Sequence, residues 1–202
     1  KYLDLFSGAG GFRAALERIP GTRCVGHCEI DPHADKSYRA LFDTKGEWFC
    51  NDARNINTDE LPGFDLLCGG FPCQSFSIAG HRKGFNDARG TLFFEIARIL
   101  GAKKPPFVLL ENVPGLLSHD KGRTFAVILR TLSRLGYHVE WQVLNSKDHG
   151  VPQSRRRVFI VGYIGEGCAG KILPVLGANG KALVQIAGGP QGARVYDPDG
   201  IA

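Results

Sequence analysis

Cys73 sits in the run Gly69-Gly70-Phe71-Pro72-Cys73-Gln74-Ser75-Phe76-Ser77, between a proline and polar residues. Pro72 fixes its own φ and biases Phe71 away from helix, so the backbone entering the thiol is stiff. A thiol presented on a shaped loop is a nucleophile in waiting; a core cysteine that only fills space is the competing reading. A second group is Glu111, which follows the apolar run Phe107-Val108-Leu109-Leu110 and precedes Asn112-Val113-Pro114-Gly115. A carboxylate at the C-terminal end of a central parallel strand stands on the edge where α/β active sites collect. The third is a glycine turn, Ser7-Gly8-Ala9-Gly10-Gly11, with Glu29 some 20 residues further on. Glycines let a ligand approach the backbone, and an acid at the end of the second strand is placed to accept from ribose hydroxyls. The spacing Gly8, Gly10, Gly11 departs from the dinucleotide fingerprint and leaves room for another adenosine-bearing cofactor. Asp52, at the end of a third strand, is placed to accept from an adenine amino group.

The elements that must hold these groups read as an alternation of strand and helix. Tyr2–Phe6, Cys24–Cys28, Trp48–Asp52 and Phe64–Cys68 are short apolar runs suited to buried parallel strands. Residues 13–18, 34–42 and 91–100 have helical composition or periodicity, and 125–135 repeats apolar residues at helical spacing before Gly136. Val139–Leu144 alternates apolar and polar residues and reads as a hairpin-like partner of Val158–Gly162. Between Ser75 and Gly90 the chain is long, basic and without periodicity, a loop beside the candidate nucleophile. This order implies an α/β fold, a Rossmann-like, mostly parallel sheet flanked by helices.

Composition narrows the partners. The chain has 202 residues, 43% hydrophobic and 22% charged, enough for one domain with part of a second. No apolar run approaches the ~20 residues that cross a bilayer, and the start lacks the apolar core of a secretory signal, so an intracellular, cytoplasmic protein with no membrane partner is expected. Six cysteines include no CxxC pair and no Cys/His cluster at zinc spacing; no metal site and no disulfide framework are expected. A net charge of +5 suits a polyanionic partner. His81-Arg82-Lys83 and Arg155-Arg156-Arg157 are its dense points, with a solvated charged face as the alternative for each.

Taken together, these stretches resemble the cytosine-C5 DNA methyltransferases of bacterial and phage type. Asp4-Leu5-Phe6-Ser7-Gly8-Ala9-Gly10-Gly11 is similar to the family's first motif, Gly69 to Ser77 to its Pro-Cys loop, Glu111-Asn112-Val113 to its ENV motif, and Gln153-Ser154-Arg155-Arg156-Arg157 to its QxRxR motif, in family order. The resemblance implies S-adenosylmethionine as cofactor, S-adenosylhomocysteine as product and duplex DNA with a flipped-out cytosine as partner. It implies that Cys73 adds to carbon 6 of the ring, that Glu111 serves ring nitrogen 3 if burial keeps its carboxyl partly protonated, and that Arg157 holds the carbonyl at position 2. Phe6 is then expected against the adenine, Gly8 and Gly10 near the methionine part, Glu29 on the ribose and Asp52 at the adenine amino group. Pro72 and Leu92 are expected as pocket walls, and Arg82, Lys83 and Arg155 as phosphate contacts.

The resemblance covers residues 1 to about 165, expected as the catalytic and cofactor-binding domain; 166–202 reads as a linker and the start of a target-recognition domain that is largely missing. A monomer is expected. Three other functions compete: a non-catalytic DNA- or partner-binding module of the same fold, a transfer-RNA cytosine-5 methyltransferase, and an NAD-dependent Rossmann enzyme, which leaves the Pro-Cys loop unexplained.

Overall fold

A computed structural model of the chain describes residues 1–72, 92–165 and 172, and the backbone of 185–188. The chain divides into two compact units, Lys1–Pro106 and Phe107–Ala202.

The first unit holds strands β1 (Tyr2–Leu5), β2 (Cys24–Cys28), β3 (Trp48–Cys50) and β4 (Leu66–Gly70), in the order β3-β2-β1-β4. Every pair among them is parallel. All residues of β1 and β2 are buried, the continuous apolar pattern of strands covered on both faces. The helices are α1 (Gly11–Leu16), α2 (Pro32–Leu41) and α3 (Leu92–Lys103). Helix α3 buries Phe93, Ile96, Ile99 and Leu100 at helical spacing, each contributing roughly 1.5–3 kcal/mol relative to exposure. Helix α2 starts two residues before the periodicity suggests. Asp31 caps it, accepting from the N–H of His33 at 2.8 Å and of Ala34 at 3.4 Å, and Pro32 occupies the first turn. Register aligns Leu5 with Cys28 and Cys28 with Cys50, so three strands end on one edge and deliver Phe6, Glu29 and Asp52 there.

The second unit holds β5 (Phe107–Asn112), α4 (Gly115–Ser118), α5 (Arg123–Arg134), β6 (His138–Asn145), β7 (Arg156–Tyr163) and β8 (Gln185–Gly188). Its strand order is β5-β7-β6-β8, with antiparallel pairing throughout. The hairpin-like pairing of β6 with β7 is as expected, while β8, four residues long in a stretch of weak periodicity, is a strand the sequence reading omits. Helix α5 buries Phe125, Ile128 and Leu132, and Phe125 meets Trp141 of β6 edge-on at 5.1 Å between centroids. Two boundaries matter for the site. Strand β5 runs on through Glu111 and Asn112, and β7 begins at Arg156, so Glu111 and Arg157 are both strand residues with fixed facing.

Candidate active site

Leaving β1, the chain turns at Phe6, whose φ of 54° lies in the left-handed region that an aromatic residue seldom adopts. The turn is closed by hydrogen bonds from the Ser7 N–H to the Cys28 carbonyl at 3.1 Å and from the Gly10 N–H to the Ser7 carbonyl at 2.8 Å. Gly10 then caps α1 at φ 92°, and a Cβ there would collide with Phe42 Cε2. Only glycine meets both demands. The Gly8 N–H donates to Glu29 Oε2 at 2.7 Å, and Asp31 N–H donates to Glu29 Oε1 at 2.9 Å. The turn and the carboxylate that the spacing alone paired are thus directly joined. Each Glu29 oxygen takes one backbone donor and keeps acceptor capacity for a ligand hydroxyl. Ser7 Oγ is buried without a partner, a polar atom in the turn that a ligand group would satisfy. An open turn over Gly8, half-spent carboxylate oxygens and an unpartnered hydroxyl fit an adenosine-bearing cofactor with a polar amino-acid part.

Asp52 is placed on the same edge but is more heavily engaged. Its Oδ1 accepts from the Arg54 N–H and Nε, both at 3.0 Å, and its Oδ2 from Arg54 Nε at 3.0 Å and Nη2 at 2.6 Å. The hydrogen bonds to Arg54 hold the Asp52 carboxyl below the usual carboxylate range. An adenine amino group at Asp52 must therefore share the carboxylate with a guanidinium. Pro72 is exposed and Leu92 half-buried. Phe71 packs against Phe93 at 5.6 Å between centroids, which ties the entry to the Pro-Cys loop to the start of α3.

Behind the edge lies a buried polar cluster that the sequence reading did not anticipate. Asp4 is fully buried on β1 and accepts from Tyr38 Oη of α2 at 3.3 Å, with Cys68 Sγ of β4 at 3.7 Å. Burial pushes its carboxyl up to about 7, against the pull of those hydrogen bonds. Arg13 of α1 is 3% exposed and donates to Glu17, Glu47 and the Asp43 carbonyl, all within 2.8 Å, and to Tyr38 Oη at 3.4 Å. Burial opposes its charge, but the bonds to Glu47, Tyr38 and Glu17 outweigh that and raise its pKa. His27 of β2 stacks on Tyr38 at 4.3 Å and pairs with Asp35 at 2.9 Å; burial lowers its pKa. These residues bind the helix that follows the glycine turn to α2 and to the stretch before β3. Their partners lie up to 64 residues away, beyond any local pattern; a polar Asp4 inside an otherwise apolar strand is the one signal that could have pointed to them.

The second unit carries the other group. Glu111 of β5 stands opposite Phe159 of β7, and Arg157, two residues before it, shares that face as Glu111's diagonal neighbour. Arg157 Nε meets Glu111 Oε1 at 2.6 Å, with side chains 21% and 24% exposed. The pair is partly sheltered yet open to a ligand. Arg155, expected at phosphate, is exposed just before β7. Its N–H donates to Asn145 Oδ1 at 2.9 Å and to Ser146 Oγ at 3.2 Å. Asn145 is 6% exposed and was not singled out by sequence. Cys73, Arg82 and Lys83 lie outside the described residues. Among the described residues no group of three or more His, Cys, Asp or Glu could hold a metal ion, and no helix is long and apolar enough to cross a membrane.

Comparison with known proteins adds lineage to this geometry. The family described as C-5 cytosine-specific DNA methylase matches residues 1–168. The chain is 47% identical over 163 residues to the type II methyltransferase M.DsaV of Dactylococcopsis salina, covering 81% of this chain and 45% of that protein. It is 48% identical over 163 residues to the orphan methyltransferase M.SPRI of Bacillus phage SPR, covering 80% of this chain and 37% of the relative. The chain thus spans about half the length, or less, of these curated relatives. Among solved structures, a prophage-encoded DNA modification methyltransferase from E. coli matches with a TM-score of 0.65 and 26% identity, over 81% of this chain and 46% of the other. Spodoptera frugiperda DNMT2 matches with a TM-score of 0.70 at 21% identity, over 86% and 52% of the two chains, a likeness of fold.

Proposed function

The chain belongs to the C-5 cytosine-specific DNA methylase family, and from that premise we propose that it transfers a methyl group from S-adenosylmethionine to carbon 5 of cytosine in a specific duplex DNA site, as the methyltransferase of a bacterial or phage modification system. It would act as a cytoplasmic monomer. The observation that carries the reading is the Glu111–Arg157 pair at 2.6 Å, a carboxylate and a guanidinium side by side at strand ends within the family match.

Carbon 5 of cytosine is a weak nucleophile. Addition of the Cys73 thiolate at carbon 6 moves electron density onto carbon 5, which takes the methyl group; a base then removes the proton from carbon 5, the carbon–sulfur bond breaks, and the thiolate is freed as the ring double bond re-forms. In its protonated form Glu111 supports the addition by donating to ring nitrogen 3. Arg157, planar and permanently charged, holds Glu111 and donates to the carbonyl at position 2. When bound, the sulfonium cofactor supplies the electrophilic methyl group. Glu29 takes the ribose hydroxyls on its free acceptor sites, Phe6 lies against the adenine, and Gly8 and Gly10 leave space for the methionine part, where the Ser7 hydroxyl finds a partner. Asp52 accepts from the adenine amino group, and Pro72 and Leu92 wall the pocket. The target carbon is out of reach inside a duplex, so the base is flipped out at a cost of a few kcal/mol. Arg82, Lys83 and Arg155 offset this through phosphate contacts.

Residues 1–165 form the catalytic domain in this reading, and 166–202 lead into a target-recognition domain. Labelled-methyl transfer assays on duplex DNA and on transfer RNA test it: incorporation at cytosine in DNA is expected. Transfer to RNA alone, or cofactor binding without transfer to either, would replace it with one of the other readings.

A further inference from the structure

We propose that Asn145 is a positioning residue for this reaction, acting through Arg157; the inference rests on the function proposed above. Asn145 is the last residue of β6, paired in register with Arg156, and its side chain is buried. Its amide is used from both ends. Oδ1 accepts from the Arg155 N–H at 2.9 Å and from the Lys147 N–H at 3.4 Å, while Nδ2 donates to Ser154 Oγ at 3.2 Å. Ser146 completes the clamp. Its N–H donates to the Arg155 carbonyl at 3.1 Å, and its hydroxyl donates to the Gln153 carbonyl and accepts from the Arg155 N–H.

The connection between β6 and β7 runs from Ser146 to Arg155, with Gly150 in the left-handed region at φ 81°. A connection of that length has no intrinsic reason to deliver β7 at one angle. The clamp closes it at its base, immediately before Arg156 and Arg157. Ladder pairing then carries the constraint forward, because Leu144 stands opposite Arg157. Arg157 must cross from β7 to a diagonal neighbour on β5 to reach Glu111, and it is also held by its own Nη1 donating to the Arg156 carbonyl at 2.8 Å. A tilt at the start of β7 therefore moves the guanidinium relative to both Glu111 and the cytosine it would hold. Misplacement of a catalytic group by about 1 Å can lower a rate ~100-fold. Neither Asn145 nor Ser146 need touch the base for this effect.

The test compares Asn145→Ala, Asn145→Asp and Arg157→Ala singly and in combination, in methyl transfer to duplex DNA. Asn145→Ala is expected to lower kcat by ~10–100-fold with the KM for cofactor unchanged. Asn145→Asp keeps the acceptor oxygens for the Arg155 and Lys147 N–H groups and should recover most of that loss. In the Arg157→Ala background, Asn145→Ala should cost nothing further, the signature of two residues acting as one unit. Asn145→Ala at the wild-type kcat per folded molecule would overturn the inference, as would an equal loss with and without Arg157. A wild type that transfers nothing to DNA would instead overturn the functional reading beneath it.

Discussion

The two units solve the problem of placing a charged side chain in opposite ways. In the first, Glu29 is placed by backbone: its two oxygens are caught by the N–H groups of Gly8 and Asp31, and the turn that presents them is held by strand ends and by a buried cluster behind it. In the second, Glu111 is placed by strand register and meets a side chain, Arg157, that must itself be aimed. Backbone placement resists side-chain substitution but is sensitive to any added atom. Side-chain placement tolerates bulk nearby but fails when one partner goes. Substitutions in the first unit should therefore appear as lost stability or cofactor affinity, and those in the second as lost turnover.

The largest separation is expected from Glu111→Gln. Removing the ionisable carboxyl should lower kcat by ~100–10,000-fold while leaving the cofactor dissociation constant, measured by calorimetry, within about twofold because no backbone turn is disturbed. A weakened cofactor would blur the contrast between the units. Next is Gly10→Ala, which adds a methyl against Phe42 and forces an L residue to φ 92°; about 2–4 kcal/mol of stability should be lost in chemical denaturation. Glu29→Ala comes third. It removes the acceptor of the Gly8 N–H and the expected ribose contact together, and should weaken cofactor binding ~10-fold or somewhat more, with kcat at saturating cofactor close to wild type.

The smallest effect concerns Asp4. Its folded carboxyl holds a proton up to about 7, against 3.8 for the free group. The stabilisation it contributes is complete below about pH 4 and is lost as pH rises through 7, with a slope of at most about 1.4 kcal/mol per pH unit. His27, whose pKa is lowered by burial, works the other way by penalising the fold below its ordinary value near 6.5. The difference between wild type and Asp4→Asn in denaturation midpoints from pH 5 to 8 isolates the carboxyl: wild type should lose ground to the variant as pH rises. Parallel curves would show that Asp4 is not protonated in the fold.

What could be read from the sequence follows the same division. The glycine turn and the bounds of β2 were legible because they depend on residues whose backbone preferences are local. The hairpin of β6 and β7 was legible from alternation. Less was visible wherever a side chain met a distant partner. Asp4, Arg13 and Tyr38 are buried because each finds a polar partner across the unit, and no local pattern names those partners. Arg156 and Arg157 read as a basic loop, although antiparallel pairing with β6 draws them into β7. The start of α2 was missed because Asp31-Pro32 reads as a strand end, whereas a carboxylate followed by proline is a helix cap. Asn145 gave no signal beyond its type.

The central claim is that this chain's chemistry runs through a thiol that adds to the base. The most direct measurement is trapping with duplex DNA that carries 5-fluorocytosine in the recognised site, where the fluorine blocks the elimination that would release the enzyme. With S-adenosylmethionine present, the protein should form an adduct that survives denaturing electrophoresis, and Cys73→Ser should form none. An equal adduct with Cys73→Ser, or methyl transfer by that variant at the wild-type rate, would contradict the account.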